Sequence, residues 1–181
     1  MKDEKKILEE LSFAYFHLGC LLFQMQRYVE ALENFQKAVD LAPEKPEYHN
    51  LLGQTYDNLG QTLEAEKSLR HAIEVNPNYA VGYYDLGVIL AKREGQKQEA
   101  LAAFERALKN DPDLAEAYYA IACLHALSIE EGPALEFLER ALCKGFRDLA
   151  YIERDTDWNG LRTNPKYARL LQKYCDTEEH G

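Results

Sequence analysis

The feature that most constrains this chain is a pattern of residues that recurs about every 34 positions. In one column a small residue follows a large aliphatic one, at Gly19, Gly53, Gly87 and Ala122. Two further columns hold only alanine, first at Ala31, Ala65, Ala100 and Ala134 and then at Ala38, Ala72, Ala107 and Ala141. A period of this size indicates stacked copies of one supersecondary unit, because a single copy cannot bury its own apolar face. The 181 residues are therefore expected to form a repeat array rather than a domain around one core.

Each copy reads as two amphipathic helices, with apolar residues three and four positions apart. In the second copy the first helix is predicted to run from Pro46 to about Asn58, because proline suits a first helical position. The second helix is predicted to stop just before Pro77, since a residue that precedes proline avoids the helical region. The glycine and alanine columns let the two helix axes approach closely, so a bulky residue at Gly53 is predicted to destabilise the pair.

Further columns complete the pattern and carry a family resemblance. Aromatic residues stand four positions before the small column, at Tyr15, His49, Tyr83 and Tyr118. Large apolar residues stand between the alanines, at Phe35, Leu69, Phe104 and Leu138, and three copies end at Pro43, Pro77 and Pro112. This pattern resembles the tetratricopeptide repeat, and the resemblance covers Ser12 to Asp148. It implies an all-α, right-handed superhelical solenoid of antiparallel helix pairs that binds other proteins.

On this basis we predict a helical extension over residues 1–11, repeats over 12–45, 46–79, 80–114 and 115–148, and a capping segment with a short tail over 149–181. The last segment resembles the closing segment of many bacterial repeat proteins. Its apolar residues are expected to cover the face that the fourth repeat leaves open, namely Trp158, Leu161, Tyr167, Leu170 and Leu171. Asn164 and Pro165 are predicted to start a final helix. The tail from Asp176 to Gly181 is predicted to be disordered.

The net charge and the absence of known catalytic motifs argue against several classes of function. The net charge of −10 and the lack of a basic stripe argue against nucleic-acid binding. Phosphate loops, metalloprotease motifs and nucleophile elbows do not occur in the sequence, so we predict neither an enzyme nor a cofactor or metal site. Four cysteines without C-x-x-C spacing indicate reduced thiols in the cytoplasm. The apolar run in the first helix is too short to span a membrane.

The resemblance also implies where a partner binds, because in this family the first helix of each repeat lines a concave groove. The positions that match the groove are Phe16, Cys20, Phe23, Asn50, Gln54, Asp57, Asn58, Tyr84, Val88, Tyr119 and Cys123. Amide side chains such as Asn50 can donate to and accept from a peptide backbone, which suits an extended segment or a helix. Some aromatic residues of this set could instead pack between neighbouring repeats.

Charge on the same surface predicts a partner that is apolar or basic rather than acidic. Three acidic groove residues face a single lysine, namely Glu47, Asp57 and Glu116 against Lys92. The chaperone-binding members of the family use lysine, asparagine and arginine to hold a terminal carboxylate. The matching positions in this chain are Phe16, Cys20, Leu51, Val81 and Asp85, so that carboxylate clamp is absent.

A second function class is self-association through the first helix, which is apolar nearly all round. Ala14, Leu21 and Met25 lie on the side where a preceding repeat would dock. A helix of this kind is normally buried. Either the stretch from Met1 to Glu10 folds back as a cover, or a second subunit covers this side in a homodimer.

Overall fold

The computed structural model describes the backbone of residues 2–178 and the side chains of residues 4–175. Within these ranges the chain is helical and contains no strand. It divides into two compact bodies, an N-terminal body of Met1–Arg93 and a C-terminal body of Glu94–Gly181. The all-α fold of consecutive helix pairs that the sequence predicts is confirmed.

The N-terminal body consists of five helices. They are α1 (Lys2–Gln24), α2 (Tyr28–Leu41), α3 (Pro46–Asn58), α4 (Thr62–Val75) and α5 (Ala80–Ala91). α1 packs against α2, and α3 packs against α4, as two antiparallel pairs. α5 packs against α4 and also against α3, while α3 contacts α1. The odd-numbered helices therefore lie side by side in one row, which places their side chains on a common surface.

The C-terminal body begins with α6 (Lys97–Asn110), which packs against α7 (Ala115–Leu127). α7 forms a pair with α8 (Glu131–Cys143), and the capping segment follows as α9 (Leu149–Arg154), a single 3₁₀ turn (Thr156–Trp158) and α10 (Pro165–Glu178). The cap closes a core with the inner sides of α7 and α8 that includes Leu138, Leu142, Trp158, Leu161 and Leu171. None of the described helices is long and apolar enough to cross a membrane.

The glycine column works through close packing, as the geometry at two glycines shows. A Cβ built on Gly19 would lie 2.7 Å from Phe35 Cε1, and one built on Gly53 would lie 2.8 Å from Leu69 Cγ. Distances below 3 Å are shorter than van der Waals contact, so any larger residue would force the helices apart. Phe35 and Leu69 are both fully buried, which gives these side chains no room to yield.

The turns within the helix pairs share one backbone conformation. Gln26, Gly60 and Ile129 hold the same place in the first, second and fourth repeats, and all three have positive φ angles, of 59°, 75° and 57°. In the third repeat the extra residue lies in this turn, where Gly95 has a φ of 79°. The left-handed conformation thus belongs to the position in the repeat, even where the residue is not glycine.

Two expectations concern the ends of the chain. The described part of the predicted cover, Lys2 to Glu10, does not fold back, because it belongs to the continuous helix α1 and contains no glycine or proline. α10 continues to Glu178, three residues into the tail from Asp176 that the sequence predicts to be disordered. Residues 179–181 of that predicted tail lie outside the described residues.

Candidate functional site

The candidate binding surface is the face formed by α1, α3 and α5 in the N-terminal body, here called the inner face. Its most unusual residue is Asp85, the only charged residue of α5. Asn50 Nδ2 and Gln54 Nε2 both donate to the same oxygen, Asp85 Oδ2, and both distances are 2.6 Å. The carboxyl group of α5 is thereby tied to two amides of α3.

Burial governs the protonation of Asp85. Loss of hydration raises the pKa of its carboxyl group, and the nearby charge of Asp57 acts in the same direction. The two amide hydrogen bonds stabilise the carboxylate and lower the pKa, but the net direction is upward. A positive charge beside this carboxylate would therefore be favourable, because it would offset the cost of keeping the ionised form in a partly dry site.

A small pocket opens beside this carboxyl group. It has a volume of about 110 Å³ and is lined by Gln54, Asp57, Asn58, Leu69, Asp85, Val88 and Ile89. At its edge Lys92 Nζ donates to Asp57 Oδ2 at 2.7 Å, although the Lys92 side chain is half exposed. Asn58 Nδ2 donates to the backbone oxygen of Gln54 at 2.8 Å. The pocket thus presents two carboxylates and side-chain amides above an apolar floor.

The part of the inner face on α1 is aromatic. Phe16 stacks on Tyr48 with a centroid distance of 4.4 Å, and Phe23 meets Tyr28 edge-on at 5.3 Å. Both Phe16 and Phe23 are only partly buried. Cys20 between them is also partly buried, and burial raises the pKa of its thiol, so the neutral form is favoured. This end of the face therefore offers apolar surface without charge.

Asn50 is a correction to the predicted groove. Its side chain is 0% exposed, and its Nδ2 is used by Asp85, so it cannot bind a peptide backbone at the surface. The sequence pattern places Asn50 on the correct face of α3, but a neighbouring helix covers it. The other predicted residues of α3 and α5 are accessible, since Gln54, Asp57, Tyr84 and Val88 are half-buried and Asn58 is exposed.

Tyr119 and Cys123 on α7 are a second correction. Tyr119 is 6% exposed and Cys123 is 7% exposed, because the capping segment covers both. Tyr119 Oη donates to Asp155 Oδ2 at 2.6 Å and accepts from Trp158 Nε1 at 3.3 Å, while its ring stacks on Phe146. These groove positions serve in the described structure to anchor the cap.

Cys123 also forms the one cluster of metal-ligand types found among the described residues. Its thiol and the carboxylates of Asp155 and Asp157 lie within 4.8 Å of one another. Burial, together with the charge of Asp155, raises the pKa of this thiol well above its ordinary range. The thiol donates to Asp155 Oδ2 at 3.6 Å, so in this structure the cluster forms part of the base of the cap.

The histidines of the repeat columns are packed and hydrogen-bonded. His49 Nε2 lies 2.8 Å from Pro43 O and its ring meets His71 edge-on, while burial lowers the pKa of its imidazole. His125 stacks on Phe137 and is paired with Glu130. Both histidines therefore have local structural partners.

The predicted self-association residues are all exposed. Leu21 and Met25 are 58% and 63% exposed, and Ala14 on the same side of α1 is exposed as well. The opposite side of α1 packs on α2, with Leu22 buried in the core of the N-terminal body. The side that the sequence marks as uncovered is thus uncovered within the described residues.

Asp85 and Asp155 are the site residues that the sequence analysis missed. Both act through partners more than 30 positions away, which no local pattern reveals. Asp85 nevertheless leaves a signal, because a single carboxylate in the otherwise uncharged helix α5 requires a donor on a neighbouring helix. Asn50 and Gln54 supply such donors from α3, which lies beside α5 in the row of odd-numbered helices.

Comparison with known proteins identifies relatives of this chain. Over 95 residues the chain is 36% identical to human protein O-mannosyl-transferase TMTC1, covering 52% of this chain and 11% of that protein. The chain spans between 11% and 19% of the length of the first curated relatives that it matches.

Among solved structures, YrrB, described as a TPR protein with an unusual peptide-binding site, is 30% identical with a TM-score of 0.61, over 74% of this chain and 69% of that one. Pseudomonas aeruginosa PilF has a TM-score of 0.78 at 17% identity, over 96% of this chain and 78% of that one, which is a likeness of fold alone.

Family models cover the same stretch as the helix pairs. A model described as TPR repeat matches residues 19–60, and one described as tetratricopeptide repeat matches residues 52–115 and 88–142. These matches span more than half of the chain and include the glycine and alanine columns whose close packing is described above. By its sequence and by its fold, this chain belongs to the tetratricopeptide repeat family.

Proposed function

We propose that this protein is a non-enzymatic scaffold that binds a segment of a partner protein on the inner face of its N-terminal body. The observation that carries the proposal is the acidic pocket between α3 and α5, which lies in the same row of helices as the aromatic surface of α1. A partner that fits has apolar side chains and at least one basic side chain. The family supports the general role, and one solved relative is described as peptide-binding.

The chemistry of the pocket favours a lysine or arginine of the partner. Asp85 Oδ2 already accepts from two amides, but an ionised carboxylate has further lone pairs for a cationic donor. Asp57 is shared with Lys92, whose exposed side chain can move into solvent when a partner's cation takes its place. Gln54 and Asn58 line the same pocket and can bond the backbone of the bound segment.

An acidic segment is disfavoured on the same surface. It would bring like charges close to Asp57 and Asp85, which opposes association. The positions that other family members use for a carboxylate clamp hold apolar residues and an acid, as Phe16, Cys20 and Asp85 illustrate. The proposed partner therefore differs in charge from the acidic chaperone tails.

The experiment is a selection of random peptides displayed on phage against the immobilised protein. Selected peptides are expected to contain lysine or arginine beside leucine or phenylalanine. One selected peptide, labelled with fluorescein, is then titrated by fluorescence anisotropy against the wild type, Asp57→Asn and Asp85→Asn. Each variant should bind about tenfold more weakly, since a lost charged contact of roughly 1.4 kcal/mol corresponds to that factor.

Asp40→Asn is the matched control, because it removes one carboxylate charge from the exposed side of α2. It should bind the peptide like the wild type. Selection of acidic peptides, or unchanged binding by Asp57→Asn and Asp85→Asn, would rule the proposal out.

We also propose a reducing, cytosol-like working environment. The support is that all four cysteines are unpaired: Cys20, Cys123, Cys143 and Cys175. Titration of the purified protein with a thiol reagent under denaturing conditions should give four reactive thiols.

A further inference from the structure

α1 extends well beyond the helix with which it pairs. It has 23 residues against 14 in α2, and every residue from Glu4 to Leu11 is exposed. Within this overhang Lys5 pairs with Glu9 and Lys6 with Glu10, both at 3.8 Å. Exposed pairs of this type add little stability, and a short helix without tertiary packing is marginal in water. The overhang therefore calls for a covering element.

Six of the eight exposed apolar residues between Ile7 and Met25 follow a coiled-coil repeat, and the other two, Leu8 and Phe13, lie outside it. The six are Ile7, Leu11, Ala14, Leu18, Leu21 and Met25, here called the seam, and their spacing alternates between four and three residues. This is the a/d pattern of a left-handed coiled coil, sustained over about 27 Å of helix. The five large side chains are between 41% and 63% exposed. Met25 lies just beyond Gln24, but its N–H still donates to Leu21 O at 3.0 Å, which keeps it in helical register.

We propose that the seam binds the seam of a second copy of this chain, as an antiparallel two-helix coiled coil. The pattern is self-complementary in that orientation. Centred on residue 16, it sets Ile7 opposite Met25, Leu11 opposite Leu21 and Ala14 opposite Leu18 of the other copy. Small thus meets large in the central layers, as close packing requires.

A parallel pair fits less well. It would set Ala14 against Ala14 and leave a gap in the middle of the seam. Glu4 lies seven residues, or one heptad, before Leu11. A parallel pair would therefore also set Glu4 opposite Glu4 of the other copy, where like charges repel. In the antiparallel pair the flanking Glu10 lies opposite the uncharged Gln24, so no like charges meet along the seam.

The proposal is independent of the inner face. Phe16, Cys20 and Phe23 pack toward the core of the N-terminal body, whereas the seam lies on the side of α1 that this core leaves open. A dimer would therefore leave the inner faces of both copies available for partners.

The test is sedimentation equilibrium of the full chain over a concentration series. The wild type should approach twice its monomer mass of 20.8 kDa as concentration rises. Leu21→Glu and Leu11→Lys should each weaken the dimer at least tenfold, because each places a charge in the apolar seam. The double variant Leu11→Lys with Leu21→Glu should regain the dimer, since the antiparallel register sets the new lysine of each copy opposite the new glutamate of the other.

Leu63→Glu is the matched control, because Leu63 is a 69% exposed leucine on α4 and lies outside the seam. It should dimerise like the wild type. All substituted side chains are exposed, and circular dichroism should confirm unchanged helicity. A strictly monomeric wild type, or a dimer indifferent to both single changes, overturns the proposal. Failure of the double variant to regain the dimer overturns the antiparallel register.

Discussion

Replacing Asp85 by asparagine is expected to stabilise the protein, although it removes a side chain with two hydrogen bonds. Asn50 Nδ2 and Gln54 Nε2 can still donate to the amide oxygen of an asparagine in the same place. The new amide also brings two N–H donors. Asn50 Oδ1 is buried without a hydrogen-bond partner among the described residues, and we expect one of these donors to bond it.

The magnitude follows from opposing effects. Hydrogen bonds to a carboxylate are stronger than those to a neutral amide, so the change loses about 1 kcal/mol at each of the two donors. Against this, an unsatisfied buried acceptor costs about 1–3 kcal/mol, which the new donor relieves. Removing the charge also removes the desolvation cost of the carboxylate, which is the largest cause of the raised pKa of Asp85. We expect a net stabilisation of about 1 kcal/mol, or roughly 2–4 °C in Tm.

The pH dependence provides the sharper assay. A carboxyl group whose folded pKa is raised is stabilised by protonation, so the wild type recovers stability as pH falls through the folded pKa toward the ordinary value of 3.8. The advantage of Asp85→Asn should therefore be largest at neutral pH and shrink toward that value. Thermal unfolding of both proteins, followed by circular dichroism across this range, measures the difference.

Two results would refute this reasoning. One is a variant that is less stable than the wild type at neutral pH, which would mean that the carboxylate stabilises the folded protein. The other is a Tm difference that does not change with pH, which would separate it from the ionisation of Asp85. Asp57→Asn is the comparison, because Asp57 is paired with the half-exposed Lys92, and the change should alter stability by less than about 1 kcal/mol.

Two further stability predictions concern packing and the cap. Gly53→Ala should destabilise by about 1–3 kcal/mol in urea unfolding, because its Cβ would overlap Leu69, whereas Gly132→Ala in α8 meets no atom within 4 Å and should be neutral or stabilising. Equal behaviour of the two would contradict the packing argument. Tyr119→Phe should cost about 1–3 kcal/mol, because Trp158 Nε1 loses its acceptor and Asp155 Oδ2 loses one of its donors while the ring stays in place. An unchanged unfolding midpoint would show that the hydroxyl is dispensable.

The sequence predicts most of the fold because the repeat is local and redundant. α3 spans Pro46–Asn58, the bounds that the proline and the Asn-Leu-Gly turn indicate. The contacts of Gly19 and Gly53 follow from the small column, since each faces the large residue of the paired helix. These features depend on residues fewer than 20 positions apart, a distance over which a periodic pattern is informative.

The site is predicted less well because it depends on contacts between repeats. Asn50 and Cys123 occupy groove positions in the pattern, yet both are covered by segments more than 30 residues away that carry Asp85 and Asp155. The column tells which face of its own helix a residue occupies. It does not tell whether the next repeat or the cap buries that face.

The link between α3 and α5 has a consequence for the assembly of the array during folding. Repeats with similar helices can dock in the wrong order, because their apolar columns are interchangeable. If α5 docked on α1 instead of α3, Asp85 would meet Phe16 and Cys20, which hold the places of Asn50 and Gln54 one repeat earlier. A carboxylate buried against those residues would exchange two amide donors for the weak thiol donor of Cys20, and it would be strongly disfavoured. Asp85 therefore favours docking of the third repeat on the second repeat over docking on the first.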